Sequence, residues 1–216
     1  MKGFKDGLGD KASLIVKEVS YEVTDSTIDS QIVALQASGA DVFFNVSIPK
    51  FAAQGIRKTY DLGWKPLHIV NTVAASVASV LIPAGLDKSV GLVSTNWFKD
   101  PTDPQWKDDS ATKDWLAWMR KYYPEGSVED GNNVYAYIVS EALVQVLKQC
   151  GNDLTRENVM RQVANLKDLE LPMLLPGVKV NTSPTDFYPV EQMQLMRFDG
   201  KRWVPFGDII DASRGH

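Results

Sequence analysis

The stretch Phe43–Trp64, FFNVSIPKFAAQGIRKTYDLGW, decides how the rest of the chain is read. It opens on an apolar run of strand character, crosses a short polar turn, and enters a helical pattern at Pro49. Proline suits the first helical position, where the missing N–H costs no hydrogen bond and φ is already near the helical value. Phe51, Ile56 and Tyr60 then supply apolar bulk, and Gly63 is placed to end the helix. A strand that ends in a polar turn and a helix N-terminus is half of a β-α-β unit, so the question becomes what repeats on either side of it.

Upstream, ASLIVKEVSY (12–21) is rich in β-branched residues and expected to be a strand. Ile28, Ile32 and Leu35 give the next segment helical spacing, closed by Gly39. Downstream, PLHIV (66–70) is a further strand, ASVASVL (75–81) a short helix and SVGLVSTNWF (89–98) a fourth strand. Strand and helix alternating at this pitch mean parallel strands joined by right-handed crossovers, an α/β fold. The opening MKGFKDGLGDKA reads as the last turns of an amphipathic helix, with Phe4 and Leu8 four apart and Gly9 as its cap. A domain seldom starts there, and further sequence is expected upstream.

After Phe98 the pattern changes. The proline- and aspartate-rich KDPTDPQWKDD (99–109) reads as a crossover loop. Three helical segments follow, 111–123, 132–149 and 155–166, the middle one with a broad apolar face through Tyr135, Ile138, Val139, Leu143, Val146 and Leu147 that is expected to lie against a sheet. Thr155, three residues before Asn158, suits a helix N-cap. The chain then turns to β character in PGVKV (176–180), EQMQLMRF (191–198) and RWVPFGDII (202–210), with DGK (199–201) a tight hairpin turn between the last two. The reading divides the chain into an α/β part, 1–98, and a part of helices and hairpin, 99–216. The second part has too little sheet of its own to cover its helices, so something else should complete it, either sequence upstream or a partner chain.

The 216 residues carry a net charge of −4, with 23% charged and 44% hydrophobic residues, and pI near 5.2. Acidic balance and scattered lysines and arginines argue against a nucleic-acid partner, which needs a basic stripe. One cysteine, Cys150, excludes an internal disulfide framework and a cysteine-based zinc cluster. No apolar run approaches the ~20 residues needed to cross a bilayer, and the N-terminus lacks a basic-then-apolar leader pattern. Catalysis has little support: the histidines, His68 and His216, lie in a strand and at the extreme C-terminus, and no nucleophile, base and orienter can be grouped around them. GLGD (7–10) lacks the lysine and the preceding strand of a phosphate loop, and no ligand spacing suggests a metal. No cofactor is expected.

In an open parallel sheet, ligands sit beyond the carboxyl ends of the strands. Three loops qualify: NVSIPK (45–50), VNTVAAS (70–76) and STNWFKD (94–100). Asn45, Ser47, Asn71 and Thr72 are short, uncharged hydrogen-bonding residues suited to orienting a small solute, although Asn and Ser after a strand more often close a turn. Trp97 and Phe98, where the chain leaves the fourth strand, either wall a cleft or pack a hinge. Trp106, Trp115 and Trp118 read as packing residues.

The run IDSQIVALQASGADVFFNVSIPKFAAQGIRKTYDLGWKP (28–66), GLVSTNWFKDPTDPQW (91–106), the helix NNVYAYIVSEALVQVLKQCG (132–151) and the terminal EQMQLMRFDGKRWVPFGDII (191–210), in this order, resemble the periplasmic solute-binding proteins of ABC transporters, of the branched-chain amino-acid (leucine/isoleucine/valine-binding) type. The resemblance covers nearly the whole chain. It implies a type I periplasmic-binding-protein-like α/β fold in two lobes with a ligand cleft between them. Residues 1–98 would be the second lobe, and 99–216 would belong mainly to a first lobe left incomplete, its sheet and a signal peptide lying upstream. It further implies a periplasmic location, a small-molecule ligand in the cleft bound through Asn45, Ser47, Asn71, Thr72 and Trp97, and a membrane permease as partner. Amino-acid binders of this type pair the ligand's ammonium with an acidic residue after the third strand of the second lobe and cover its side chain with an aromatic residue after the preceding one. Here those loops hold Thr72 or Asn71, and Ser47, with no carboxylate between Trp64 and Pro83. A small carboxylate or a neutral or aromatic compound therefore fits the turns better than an α-amino acid. A sensory domain of the same fold and a small α/β enzyme are the alternatives. With half the cleft missing, weak affinity and self-association of the chain are expected.

Overall fold

In the computed structural model, which describes residues 1–212, the opening stretch folds as its residues dictate. Strand β1 (Val42–Asn45) buries Phe43 and Asn45 on one face. Helix α3 (Pro49–Asp61) starts with Pro49 in its first turn and buries Phe51, Ala52, Ala53, Gly55, Ile56 and Thr59, and Gly63 follows in the left-handed region at φ 64°. Two earlier helices precede β1: α1 (Lys2–Leu8), capped by Gly9 at φ 52°, and α2 (Asp29–Ala37), which buries Ile32 against α3.

Strands β2 (Leu67–Val70) and β3 (Val93–Asn96) extend the sheet in parallel, with Val42 opposite Leu67 and Ile69 opposite Val93. The link between them is irregular. Thr72–Ala75 forms a 3-10 turn, Val77–Leu81 a π turn and Ile82–Ala84 a single turn of α-helix, α4, where a short regular helix was expected. Ser76 caps this segment by accepting the backbone N–H of Ser79.

The helical layer comprises α5 (Ser110–Tyr122), α6 (Gly131–Cys150) and α7 (Arg156–Val163). Each begins at a side-chain cap: Asp109 accepts the N–H of Thr112, Asp130 that of Asn132 and Thr155 that of Asn158. Trp115, Met119, Val134, Ile138, Val146 and Cys150 form its core together with Leu166–Val180, a segment that holds only isolated bridges, Leu169–Val180 among them, where PGVKV reads as a strand.

Strands β4 (Gln192–Phe198) and β5 (Trp203–Asp211) form the hairpin, with Asp199 accepting the N–H groups of Lys201 and Arg202. This hairpin, grouped by sequence with the helices of residues 99–216, is hydrogen-bonded into the sheet of β1 to β3. β4 pairs antiparallel with β3, Val93 opposite Arg197 and Asn96 opposite Gln194, so one five-stranded sheet runs β1-β2-β3-β4-β5. Phe198 and Trp203 accordingly sit in the core over this sheet, with Ile56, Val70, Val80 and Leu81.

Two further expectations change. Ala12–Tyr21 is not a strand: Gly9–Leu14 is a 3-10 turn and the residues after it run outside any ladder. β-branched composition favours a pleated surface only where a neighbouring strand is present, and the outer edge of β1 has none among the described residues. Helix α6 does not lie against a sheet with its whole apolar face. Val134, Ile138, Val146 and Cys150 face the helical core, whereas Tyr135, Val139, Leu143 and Leu147, spaced four apart, stand open, Leu143 at 50% exposure. His216 lies outside the described residues.

Candidate functional site

The carboxyl ends of β2 and β3 meet the N-terminus of α6 and the β4–β5 hairpin around a cavity of 390 Å³. From β2 come Thr72, Ala75, Ser76 and Val77; from β3, Asn96, Trp97 and Phe98. Asn96 shapes this corner: its Oδ1 accepts the Trp97 N–H at 2.9 Å and its Nδ2 donates to the Phe98 carbonyl at 2.9 Å, turning the chain sharply as it leaves the sheet. Trp97 meets Phe98 edge-on at 5.0 Å and Tyr135 of α6 at 5.9 Å. Thr72 is fixed by its hydroxyl, which donates to the Thr95 carbonyl at 3.1 Å.

The floor is Trp203, 5% exposed, whose indole N–H donates to the Ala75 carbonyl at 2.7 Å and so ties the hairpin to the turn after β2. The crossover loop adds Asp100, Asp103 and Trp106. Asp103 is buried, takes the backbone N–H and side-chain amide of Gln105, and pairs with Arg202 of the hairpin. Lys99 pairs with Asp109 at 2.9 Å, and its ammonium lies 5.3 Å from the Trp106 ring centroid. The Asp103–Arg202 pair, buried on the Asp103 side, thereby ties the loop to the hairpin, while Lys99–Asp109 holds the loop against the start of α5.

Of the five residues expected to bind a solute, the structure brings together Thr72 and Trp97 alone in this cavity. Asn45 and Ser47 face a different hollow, a groove of 670 Å³ between β1 and residues 15–21, lined by Phe4, Ile15, Val16, Val19 and Phe44. Their side chains are buried and engaged with each other: the Ser47 hydroxyl donates to Asn45 Oδ1 at 2.6 Å, and Asn45 Nδ2 lies 3.4 Å from His68 Nε2. Asn71 lines neither hollow, and its Oδ1 is buried without a hydrogen-bond partner among the described residues. The shared gap expected of the three corners is therefore divided, because the turn after β1 folds back onto its own sheet while those after β2 and β3 open towards α6.

A family model described as periplasmic binding protein matches residues 2–202. The chain belongs to the periplasmic binding protein family. Solved structures of similar fold include a branched-chain amino-acid ABC transporter protein of Thermus thermophilus with bound valine. It is 16% identical, with 92% of this chain and 53% of that chain covered and a TM-score of 0.70. A leucine-binding protein of Thermotoga maritima is 14% identical over 99% of this chain and 57% of its own, at TM-score 0.72. An extracellular ligand-binding receptor of Rhodopseudomonas palustris HaA2 is 16% identical over 95% and 59%, at 0.71. At these identities the likeness is one of fold. The chain spans between 53% and 59% of the length of these three relatives. A search of curated proteins gave no match.

The periplasmic-binding-protein fold makes sense of the mixed sheet, in which parallel strands end in a hairpin that returns after the helical layer. Among the described residues no helix is long and apolar enough to cross a membrane, and no group of three or more His, Cys, Asp or Glu is placed to hold a metal ion. Sequence reading missed Tyr135, Trp203, Asp100, Asp103 and Glu129 as cavity residues, and assigned Trp106 to packing. Trp106 does both, lying against the helical core and lining the cavity. The available signal was local: tryptophan and aspartate concentrated in the crossover loop, and a tryptophan directly after the hairpin turn.

Proposed function

We propose that the chain binds a small solute in the cavity between the ends of β2 and β3 and the start of α6, and that in the cell it presents this solute to an ABC-type membrane permease from the periplasmic side. The observation that carries this reading is one cleft of 390 Å³ with walls of Trp97, Phe98, Trp106, Tyr135 and Trp203 and a few placed polar groups, the composition expected of a small-molecule site. It lies beyond the carboxyl ends of parallel strands, where open α/β sheets hold ligands. The family and its solved members are binding proteins, which supports binding without turnover.

A neutral or aromatic solute fits these walls. The alternative of a small carboxylate is disfavoured, because Asp100, Asp103 and Glu129 line the cavity and no lysine or arginine does. Calorimetric titration with aromatic solutes tests the reading: Trp97→Ala is expected to weaken binding by about tenfold or more through loss of an aromatic wall, while Ser47→Ala, in the other hollow, leaves affinity unchanged. Equal losses in both variants would assign the site wrongly.

The open stripe of α6 supports self-association as a further property of the chain. Tyr135, Val139, Leu143 and Leu147 are between 39% and 50% exposed along one side of the helix, and contiguous apolar surface of this kind promotes contact between copies. Sedimentation velocity is expected to show concentration-dependent dimers or larger species, and Leu143→Lys with Val139→Lys to shift the boundary to the monomer. A wild-type chain that stays monomeric at high concentration would contradict this.

A further inference from the structure

Building on the solute-binding reading, we propose that the solute carries a positive charge, an amine or quaternary ammonium on an apolar or aromatic body, and no free carboxylate. The electrostatics of the cavity are one-sided. Asp103 is compensated by Arg202, but Asp100 and Glu129 are not. Asp100 accepts only the N–H and hydroxyl of Thr102, both at its Oδ1, and the Glu129 carboxylate makes no hydrogen bond or ion pair among the described residues.

The neighbouring cations are already engaged, Arg202 with Asp103 and Lys99 with Asp109. The remaining source of positive potential, the N-terminus of α6, is capped by Asp130, which accepts the Asn132 N–H at 3.0 Å and its side-chain amide at 2.9 Å. A bound carboxylate would thus face two like charges with no lysine or arginine among the described residues lining the cavity, whereas an ammonium would face two carboxylates. The walls act in the same sense. Indole and phenol faces attract cations, and Trp106 already holds the Lys99 ammonium at 5.3 Å from its ring centroid. A zwitterionic amino acid satisfies half of this arrangement and is penalised by the other half.

The test holds the ligand body constant and changes its charge. Benzylamine, benzyl alcohol and benzoate are titrated against the chain at neutral pH while the indole N–H resonances are followed by NMR. The expected order is benzylamine tightest by about tenfold over benzyl alcohol, with benzoate weakest, and a preference that shrinks as salt is raised. In Glu129→Gln combined with Asp100→Asn, the amine and the alcohol are expected to converge to within about twofold, the alcohol's own affinity showing that the cavity is intact. Benzoate binding best, or the amine binding no better than the alcohol, overturns the charge assignment and leaves the cavity as a solute site. If none of the three shifts the Trp97 or Trp203 resonances, the solute-binding reading falls, and this proposal with it.

Discussion

Replacing Trp203 by alanine is expected to cost the fold about 3–5 kcal/mol, the range for removing a large buried aromatic side chain. Trp203 is 5% exposed, packs edge-on against Phe198 at 5.5 Å and joins the core built from α3 and the β2 turn. Its indole also donates to the Ala75 carbonyl at 2.7 Å, so the residue carries two separable contributions. Trp203→Phe keeps most of the apolar volume and strands the carbonyl, and is expected to lose about 1–3 kcal/mol. Urea unfolding followed by far-UV circular dichroism measures both. Because Trp203 joins the hairpin to the turn carrying Thr72, the alanine variant is also expected to lose solute binding at temperatures where it remains folded. A Trp203→Ala chain within about 1 kcal/mol of wild type would mean that the hairpin is not part of this core.

Acid is expected to destabilise the chain through His68 well above the pH at which Asp29, Asp153 and Asp199 titrate. The imidazole is 7% exposed, stacks on Phe43 at 4.4 Å and points Nε2 at Asn45. Burial drives its pKa from 6.5 down to about 3. The folded chain therefore keeps His68 neutral in a range where the unfolded chain protonates it, and below pH 6.5 the unfolded state gains the proton. Stability present in full above that pH falls as pH drops towards 3, by about 1.4 kcal/mol per pH unit, or roughly 2–3 kcal/mol by pH 4.5. Asp29, Asp153 and Asp199, whose carboxyls are held below the usual range by hydrogen bonds, lose their contributions at lower pH still. Thermal melts of wild type and His68→Phe between pH 7 and 4.5 separate the two effects. The variant is expected to lose the acid destabilisation over that window and to keep only the small opposite slope of Glu141, whose carboxyl burial pushes up; parallel profiles would remove His68 as the cause.

What could be read in the sequence follows the range of the interactions involved. The α3 start at Pro49, the Gly9 and Gly63 helix ends, the Thr155 cap and the Asp199–Gly200 turn are decided within a few residues, and all stand as expected. Sheet membership is decided at a distance. Nothing near EQMQLMRF says that β4 pairs with a strand about a hundred positions earlier, and nothing near Ala12–Tyr21 says that no ladder awaits it.

The site divides in the same way. Thr72 and Trp97 were legible because strand ends in a parallel sheet face a common edge. Asn45 and Ser47 obey the same rule, yet a 2.6 Å hydrogen bond between their side chains and the proximity of His68 turn them back onto β1. Tyr135, Trp106 and Trp203 reach the cavity only through tertiary packing, from a helix, a crossover loop and a hairpin that are remote from one another in the chain.

If the solute lies in the cavity beyond β2 and β3, the groove beside β1 stays empty. Two-dimensional NMR of indole N–H groups during titration with benzylamine tests it in one experiment, since Trp97, Trp106 and Trp203 line the cavity and Trp64 lines the groove. Saturable shifts of Trp97 and Trp203 are expected, with Trp64 unmoved. Shifts confined to Trp64, or no saturable shift at any tryptophan, would contradict it.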